Sequence, residues 1–399
     1  MSAERAAFSE VTARVPATGS PLHPPPAALN RNAELVRSSF VALAPKLDKV
    51  LARFYAVLFA WSPQLRGYFP INMEAQRGRL ARVLNHVVGA LDRPADLAPF
   101  LAQLGRDHRK FSVLDEHYPV FGQALLTALA SEAGEAWTEE LANAWAQTYQ
   151  FMAETMIAAA HAETAPASWI GEVIEHRRLD RDVAAVWVRT DPPLPYRPGQ
   201  YVSVETPHRP RVWRYYTPTT APRPDGIIEL LVKAVGYGGV SRAIVSSARP
   251  GDTWRLGPAL GRLPEQVSPE RGLLMIGGGT GIAPIQAILH GLETSGPPPR
   301  SVIVYYGARR WEGLHALDNL RSMSYRNRWL DVVPVVEEPP PATGPEVGQL
   351  IEVITRHRTW GDRDVLVSGS PAMLRATVGA LLTLGLPLER IHYDPFVDD

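Results

Sequence analysis

The chain has 399 residues, of which 45% are hydrophobic and 21% are charged, a composition typical of a globular protein with two or three domains. Lysine plus arginine and aspartate plus glutamate each number 41, and this neutral balance argues against a nucleic acid or an anionic membrane as the main partner. The cysteine count is zero, which excludes disulfides, thiolate metal sites, iron–sulfur clusters and cysteine nucleophiles.

The N-terminal segment, residues 1–32, is rich in proline and small residues and predicts a flexible tail. It lacks the apolar core of a secretion signal, and no apolar run later in the sequence is long enough to cross a bilayer. We therefore expect a soluble cytoplasmic protein, a monomer that neither binds nucleic acid nor inserts into a membrane.

Residues 33–164 place apolar side chains at helical spacing and show no strand-like alternation. Three such stripes begin near Leu47, Leu80 and Trp137. The pattern predicts an all-α domain with one compact core.

One histidine, His108, is predicted to lie on the apolar face of a helix in this domain. Apolar residues recur around it at helical spacing: Leu97, Leu101, Leu104 and Phe111. The charged residues between them are predicted to face water: Arg106, Asp107, Arg109 and Lys110. An inward-facing histidine is usually a hydrogen-bonded core residue, so the local pattern leaves both that role and a ligand role open.

The pattern changes twice in the second half of the chain. Residues 165–267 contain short valine-rich alternating segments separated by proline and glycine turns, which predict an antiparallel β-barrel. Residues 268–399 alternate buried strands with helical stretches, which predicts an α/β domain with a parallel sheet.

A glycine-rich loop, GGGTGIAP at residues 277–284, lies between a predicted strand and a predicted helix. Glycines let the backbone approach a phosphate, and the helix N-terminus offers free N–H groups. A tight turn without a ligand explains the same glycines, and the spacing is not the full G-x-G-x-x-G fingerprint.

Four motifs in a fixed order make the functional hypothesis stronger: YRPGQY at 196–201, RYYT at 214–217, GYGGVS at 236–241, and the glycine-rich loop. Together with the C-terminal IHYDPFVDD they resemble the ferredoxin-reductase family of flavin and nicotinamide modules. The resemblance implies that Arg214 binds the FAD pyrophosphate, that Tyr216 packs on the flavin ring and that Thr217 bonds to its reactive edge. It implies further cofactor contacts from Tyr201, Gly238, Gly239, Ser241, Gly277, Gly278, Gly279, Thr280, Gly281 and the C-terminal aromatic Phe396.

Two features of the last domain concern the nicotinamide. Ser368 stands where the family has a cysteine beside the nicotinamide, and Ser370 stands where it has a proline. We therefore expect slower hydride transfer. Arg309 and Arg310 can bind the 2′-phosphate of NADPH. The same turn occurs in relatives that use NADH, so the choice between NADH and NADPH stays open, with NADH favoured.

The helical half, with RFYAVLF at 53–59 and RGYFPINMEAQRGRL at 66–80, resembles the globin half of the flavohaemoglobins. The order all-α globin, antiparallel β-barrel flavin domain and α/β nicotinamide domain is specific to that family. The resemblance implies that His108 is the proximal ligand of haem b, that Tyr55 donates a hydrogen bond to bound O₂, and that Phe69 wedges the haem.

The resemblance implies other haem-pocket residues, and their identity depends on how the sequence is aligned with the family pattern. Counting back from His108 gives Gln76 and Leu80 as the distal pair, which we prefer, whereas counting forward from Phe69 gives Arg79 and Val83. On the proximal side Tyr118 matches the tyrosine tied to the imidazole. The matching glutamate position falls on Ala162, next to Glu163, and one residue rotates a helix by about 100°. Either the last helix carries an irregularity that brings Glu163 to the imidazole, or the electron donation from this glutamate is weakened.

The family resemblance implies nitric oxide dioxygenase activity. NAD(P)H would reduce FAD, FAD would pass single electrons to the haem, and nitric oxide with O₂ would give nitrate. Two alternatives stay open: a haem-based sensor or binding protein for O₂ or redox state whose reductase resets the iron, and a general NAD(P)H diaphorase or ferric reductase.

Overall fold

The computed structural model describes residues 26–236, 239–263, 271–295, 301–339 and 344–394, with side chains from residue 32 onward. The chain divides into two compact units. The first holds the described residues up to 66 together with 77–105 and 114–162, and the second holds 67–76, 106–113 and the chain from 163 onward. No helix in the described ranges is both long and apolar enough to span a membrane.

The N-terminal half is helical, which confirms the all-α prediction. Its helices are α1 Pro26–Leu43, α2 Leu47–Trp61, α3 Glu74–Ala90, α4 Pro94–His108, α5 His117–Ala133 and α6 Glu139–Ala162. Short 3₁₀ turns lie at Ala44–Lys46, Pro63–Tyr68, Arg109–Phe111 and Gly134–Ala136. Because α1 begins at Pro26, the last residues of the predicted tail are helical, and residues 1–25 lie outside the described residues.

Apolar faces and close glycine contacts hold the helices together. The stripe predicted on α2 is buried at Leu51, Phe54 and Leu58. A Cβ on Gly105 of α4 would lie 2.1 Å from the carbonyl oxygen of Met156 on α6, so only glycine allows these two backbones to approach so closely.

Six antiparallel strands form the sheet of the predicted flavin-type barrel: β1 Trp169–Arg178, β2 Val183–Thr190, β3 Tyr201–Glu205, β4 Arg214–Tyr216, β5 Ile227–Lys233 and β6 Thr253–Leu260. Their order is β4–β3–β6–β1–β2–β5. An isolated bridge links Pro218, two residues after β4, to Leu230 of β5, and so brings the two edges of the sheet together, as the barrel prediction requires. Helix α7, Val240–Ser247, follows β5.

The last part of the chain is an α/β domain, as predicted. Its parallel strands are β7 Gly272–Gly278, β8 Val302–Ala308, β9 Leu330–Val336, β10 Glu346–Val347, β11 Arg363–Ser368 and β12 Ile391–His392, in the order β10–β9–β8–β7–β11–β12. The helices are α8 Ala283–Ser295, α9 Leu317–Arg326, α10 Leu350–His357 and α11 Pro371–Thr383. The strand order reverses between β7 and β11, and ligands bind at such switch points, beyond the carboxyl ends of the strands.

The prediction that Lys110 faces water is wrong. Its side chain is buried, with 3% of the residue exposed. The α-helix ends at His108, and residues 109–111 continue as a 3₁₀ turn. Helical periodicity therefore stops applying before Lys110, and this turn packs against the flavin-type barrel instead of water.

Candidate functional site

The glycine-rich loop lies at the switch point of the parallel sheet. Residues 279–282 form a 3₁₀ turn between β7 and α8, and Gly279 has φ +55°, a conformation that favours glycine. A Cβ on Gly281 would lie 2.5 Å from Cα of Gly369, so the loop after β7 contacts the loop after β11 directly. The remaining loop residues are buried at Gly277 and half-buried at Gly278 and Thr280.

This arrangement fits a dinucleotide. The backbone can approach a ligand closely because the loop has no side chain at four of its positions, and the turn leads into the N-terminus of α8, where N–H groups favour a phosphate. Ser368, the last residue of β11, is 7% exposed and lies at the same edge of the sheet.

Ser370 has a structural role that the sequence analysis missed. Its hydroxyl accepts a hydrogen bond from the Met373 amide at 3.3 Å and caps α11, with Pro371 at the first helical position. A serine directly before a proline and a helical stretch is a recognisable helix-start signal. The cap fixes the loop that contacts Gly281.

The arginine pair after β8 faces a carboxylate that the sequence analysis did not consider. Nε of Arg310 donates to Oε2 of Glu338 at 2.7 Å, and the Glu338 amide donates to the Arg309 carbonyl at 3.0 Å. The Arg309 side chain is exposed. Glu338 therefore neutralises part of the positive charge that a 2′-phosphate would need.

Three predicted flavin residues lie on or next to β4. Arg214 and Tyr216 begin and end this strand, Thr217 follows it, and all three are half-buried. Because side chains alternate along a strand, Arg214 and Tyr216 share one face of the sheet, whereas Tyr215 lies on the other. Tyr216 packs against the barrel core.

Two further polar groups belong to this part of the barrel, the Thr220 hydroxyl and the Tyr201 hydroxyl. Thr220, three residues after Thr217, has a buried hydroxyl with no hydrogen-bond partner among the described residues, which marks a group that a ligand or water can complete. Tyr201 begins β3, and its ring lies 3.0 Å from the position of a Cβ on Gly261. Burial, with the charges of Asp394 and Asp107, raises the pKa of Tyr201 to about 12, so its hydroxyl stays a donor.

The predicted pyrophosphate clamp is only partly described. Gly239 caps α7, and the Oγ of Ser241 accepts a hydrogen bond from the Val235 amide at 3.1 Å, which ties the start of α7 to the second residue after β5. Gly238 and Phe396 lie outside the described residues.

In the first unit, the haem candidates lie on α2, α3 and α5. Tyr55 is 4% exposed, and its ring meets Phe54 edge-on with centroids 4.6 Å apart. Leu80 is half-buried on α3. Burial, with the nearby charge of Asp115, raises the pKa of Tyr118 to about 12, and the Tyr118 carbonyl accepts a hydrogen bond from the Tyr149 hydroxyl at 2.7 Å.

In the second unit, His108 ends α4 and is half-buried, with its ring centroid 6.0 Å from that of Phe111. Phe69 and Gln76 are also half-buried. Arg79 and Val83, which belong to the first unit, are half-buried too, and burial therefore does not separate the two distal registers. The pair Gln76 and Leu80 stays a prediction.

Glu163 follows directly after α6, which ends at Ala162. Its Oε1 accepts a hydrogen bond from the Ala165 amide at 3.0 Å. Glu163 thus shapes the turn that leads from the helices to the barrel. A contact between Glu163 and the imidazole of His108 stays a prediction.

Each unit, taken by itself, carries residues of a kind that a haem requires. Within the described ranges, no group of three or more His, Asp or Glu side chains could hold an ion. A porphyrin iron needs one protein imidazole, apolar walls and a polar group for its gas ligand. The half-buried His108 and the buried Tyr55 and Phe54 are groups of those kinds.

Each of the three parts of the chain, the helical half, the barrel and the α/β domain, matches a known domain family. The globin family profile matches residues 52–156, the oxidoreductase FAD-binding domain matches 171–264, and the oxidoreductase NAD-binding domain matches 275–379. The chain therefore carries a haem-binding globin domain and the two cofactor domains of a flavin- and nicotinamide-dependent oxidoreductase.

Similar proteins match about two thirds of the chain or more. A flavohemoprotein of Deinococcus radiodurans is 34% identical over 66% of this chain and 69% of its own length. A flavohemoprotein of Rhizobium meliloti is 26% identical over 92% of this chain and 97% of its own length.

Solved structures share the fold. A flavohemoglobin from Malassezia yamatoensis, with bound FAD and heme, has a TM-score of 0.74 at 16% identity and covers 91% of this chain and 98% of its own. The FAD/NAD-binding domain of a nitric oxide dioxygenase from Vibrio cholerae has a TM-score of 0.50 at 23% identity and covers 58% of this chain and 99% of its own. The three matched domains, in this order, and the similarity to the Deinococcus protein show that the chain belongs to the flavohaemoprotein family.

Proposed function

We propose that this protein is a nitric oxide dioxygenase, which uses NAD(P)H, FAD and haem b to convert nitric oxide and O₂ into nitrate. The observation that carries the proposal is the presence, in one chain, of a globin domain with a buried tyrosine and of the FAD-binding and NAD-binding domains of an oxidoreductase. The name of the similar Vibrio cholerae domain supports the same activity.

The chain's own residues hold and orient the reactants. When bound, FAD supplies the conversion of a hydride into single electrons, and the haem supplies the iron at which the gases react. His108 would hold that iron, Tyr55 would donate a hydrogen bond to a gas ligand, and Arg214 would bind the FAD pyrophosphate by charge. The loop at 277–281 would bind the nicotinamide cofactor's phosphates through its backbone.

We further propose that NADH is the preferred reductant. The carboxylate of Glu338 forms an ion pair with Arg310, and its negative charge would repel a 2′-phosphate bound beside Arg309. The Glu338→Gln variant should lower KM for NADPH about tenfold and leave KM for NADH unchanged, because only NADPH carries the phosphate. Equal KM values for NADPH in both proteins would contradict this role of Glu338.

Domain boundaries and cellular context complete the proposal. The matched ranges lie within a globin domain at 33–164, an FAD domain at 165–267 and an NAD(P)H domain at 268–399. We infer a cytoplasmic location, where NAD(P)H is available, and a monomer. Light scattering of the purified protein tests the monomer.

The proposal is tested first by absorption spectra of the purified protein, grown with ample haem supply. It should show a haem Soret band and a flavin shoulder, and anaerobic NADH should reduce both groups. In air, nitric oxide should disappear and nitrate should appear, with NADH oxidised in proportion. A yellow protein without haem, or one that reduces its haem but does not consume nitric oxide, would contradict the proposal.

A further inference from the structure

A buried lysine joins the segment that follows His108 to the flavin barrel. Lys110 is 3% exposed, and its Nζ donates to Oγ of Ser203 on β3 at 3.1 Å. The same Nζ lies over the rings of Phe111, Trp213 and Tyr215, at 5.2, 5.3 and 5.4 Å from their centroids. A hydrogen bond and three aromatic faces together offset the cost of taking the cation out of water.

The backbone of the segment is held as well. Nη2 of Arg255 on β6 donates to the Lys110 carbonyl at 2.6 Å, and its guanidinium lies over the Trp213 ring at 5.1 Å. Arg109 donates to the Ala165 carbonyl at 2.8 Å. Both the side chain and the main chain of residues 109–110 are therefore fixed to the barrel and its entry turn.

The barrel surface has space for the lysine stem because of one glycine. A Cβ on Gly257 of β6 would lie 3.2 Å from Cδ of Lys110 and 2.3 Å from Oγ of Ser203. Any larger residue there would displace the hydrogen-bonded pair. The cradle of Ser203, Gly257, Trp213 and Tyr215 thus accommodates a long cationic side chain.

The position of this cluster in the chain gives it a functional meaning. Lys110 comes two residues after His108, and Trp213 comes directly before Arg214. Edge-to-face ring contacts run from His108 to Phe111 and from Phe111 to Trp213, each with centroids 6.0 Å apart. The cluster therefore connects the predicted haem ligand to the strand that carries the predicted flavin residues.

We propose that Lys110 is a positioning residue for electron transfer from flavin to haem. Its buried cation fixes the His108 segment on strands β3 and β4 of the barrel, so that the two bound cofactors would keep one separation and orientation. This inference rests on the proposed function, because it assumes that the reductase domains feed the haem. Electron transfer depends steeply on the separation of donor and acceptor, so a loosened segment slows that step alone.

The test compares Lys110→Met, which keeps the length of the stem and removes the charge, with Lys110→Arg, which keeps a cation. Lys233→Met, at an exposed lysine of β5, is the matched control. Anaerobic stopped-flow mixing with NADH follows flavin reduction and haem reduction separately in the holoenzyme. In Lys110→Met we expect haem reduction about tenfold slower, with flavin reduction and NADH–ferricyanide turnover unchanged. Lys110→Arg should recover most of the rate, and Lys233→Met should match the wild type.

A second measurement needs no cofactor. Hydrogen–deuterium exchange of the apoprotein should be faster for amides 106–113 in Lys110→Met than in the wild type, with other segments unchanged. If Lys110→Met folds poorly, Ser203→Ala removes only the hydrogen bond and should slow haem reduction about threefold.

The outcomes separate this inference from the proposed function. Wild-type protein whose flavin is reduced but whose haem is not would contradict the proposed function, and the exchange experiment would still test the role of Lys110 in fixing the segment. Wild-type rates of haem reduction in Lys110→Met and Ser203→Ala would overturn the inference, as would equal slowing in Lys110→Met and Lys110→Arg. Unchanged amide exchange at 106–113 would overturn it too.

Discussion

Tyr55 is a buried phenol in an apolar part of the helical unit, packed against Phe54 and Phe59. In Tyr55→Phe the ring packing stays and the hydroxyl is lost. Because a single hydrogen bond contributes about 1 kcal/mol, O₂ should leave the reduced protein about fivefold faster. Flash photolysis or stopped-flow displacement by carbon monoxide measures this rate. Tyr325→Phe, at a tyrosine 94% exposed, is the control, and unchanged O₂ release in Tyr55→Phe would contradict the distal role.

Asp394 should make stability depend on pH. Burial raises the pKa of its carboxyl from 3.8 to about 6, so the folded protein binds this proton more tightly than the unfolded chain does. The free energy of unfolding therefore falls as pH rises from about 4 to about 6, and it stays lower above that range. For a half-buried, water-screened carboxyl the loss is on the order of 1 kcal/mol.

Thermal unfolding across this pH range checks the effect. Asp394→Asn has no ionisable group at this position. Between the acidic and the neutral end of this pH range, the Tm of the variant should therefore fall less than the Tm of the wild type. Asp331→Asn, at an exposed aspartate, should behave as the wild type does. Superimposable pH profiles for Asp394→Asn and the wild type would show that this carboxyl is not the source.

At the scale of elements, the contact between the loops after β7 and β11 leaves no room for a side chain at residue 281. A methyl group at residue 281 would lie 2.5 Å from Cα and 2.7 Å from the amide nitrogen of Gly369, and backbone atoms cannot rotate away. Gly281→Ala should therefore cost about 1–3 kcal/mol of stability and raise KM for NADH about tenfold.

A matched glycine on a neighbouring element gives the control. Gly379, in the middle of α11, has no atom within 4 Å of the position that a Cβ would take, so Gly379→Ala should be neutral or slightly stabilising. Calorimetry and steady-state NADH kinetics compare the two variants. If Gly281→Ala keeps both wild-type stability and wild-type KM, the two loops can separate without affecting the cofactor.

Helix and strand types were largely predictable from the sequence, whereas helix ends were not. The apolar stripe on α2 is buried as its spacing predicts. On α4 the same reasoning succeeds for Leu97 and Leu101 and fails at Lys110, because the α-helix ends at His108. Periodicity describes a face only while the helix continues.

At the scale of the whole molecule, the two functional halves should be separable by one substitution. His108→Ala removes the proposed haem ligand and leaves the flavin and nicotinamide domains intact. We expect loss of the Soret band and of nitric oxide consumption, with NADH–ferricyanide turnover within about twofold of the wild type. His86→Ala, at an exposed histidine on α3, is the control. Nitric oxide consumption that persists in His108→Ala would favour a general diaphorase.

The sequence by itself determined the three domain types, their order and most cofactor motifs, because these depend on local periodicity and on short runs of glycine, aromatic and arginine residues. The tertiary structure decided which of these residues meet. Lys110 and Ser203 are 93 positions apart, and Gly281 meets Gly369 only because the strand order places β11 beside β7. Such contacts depend on how distant segments pack, and local sequence patterns do not specify that packing.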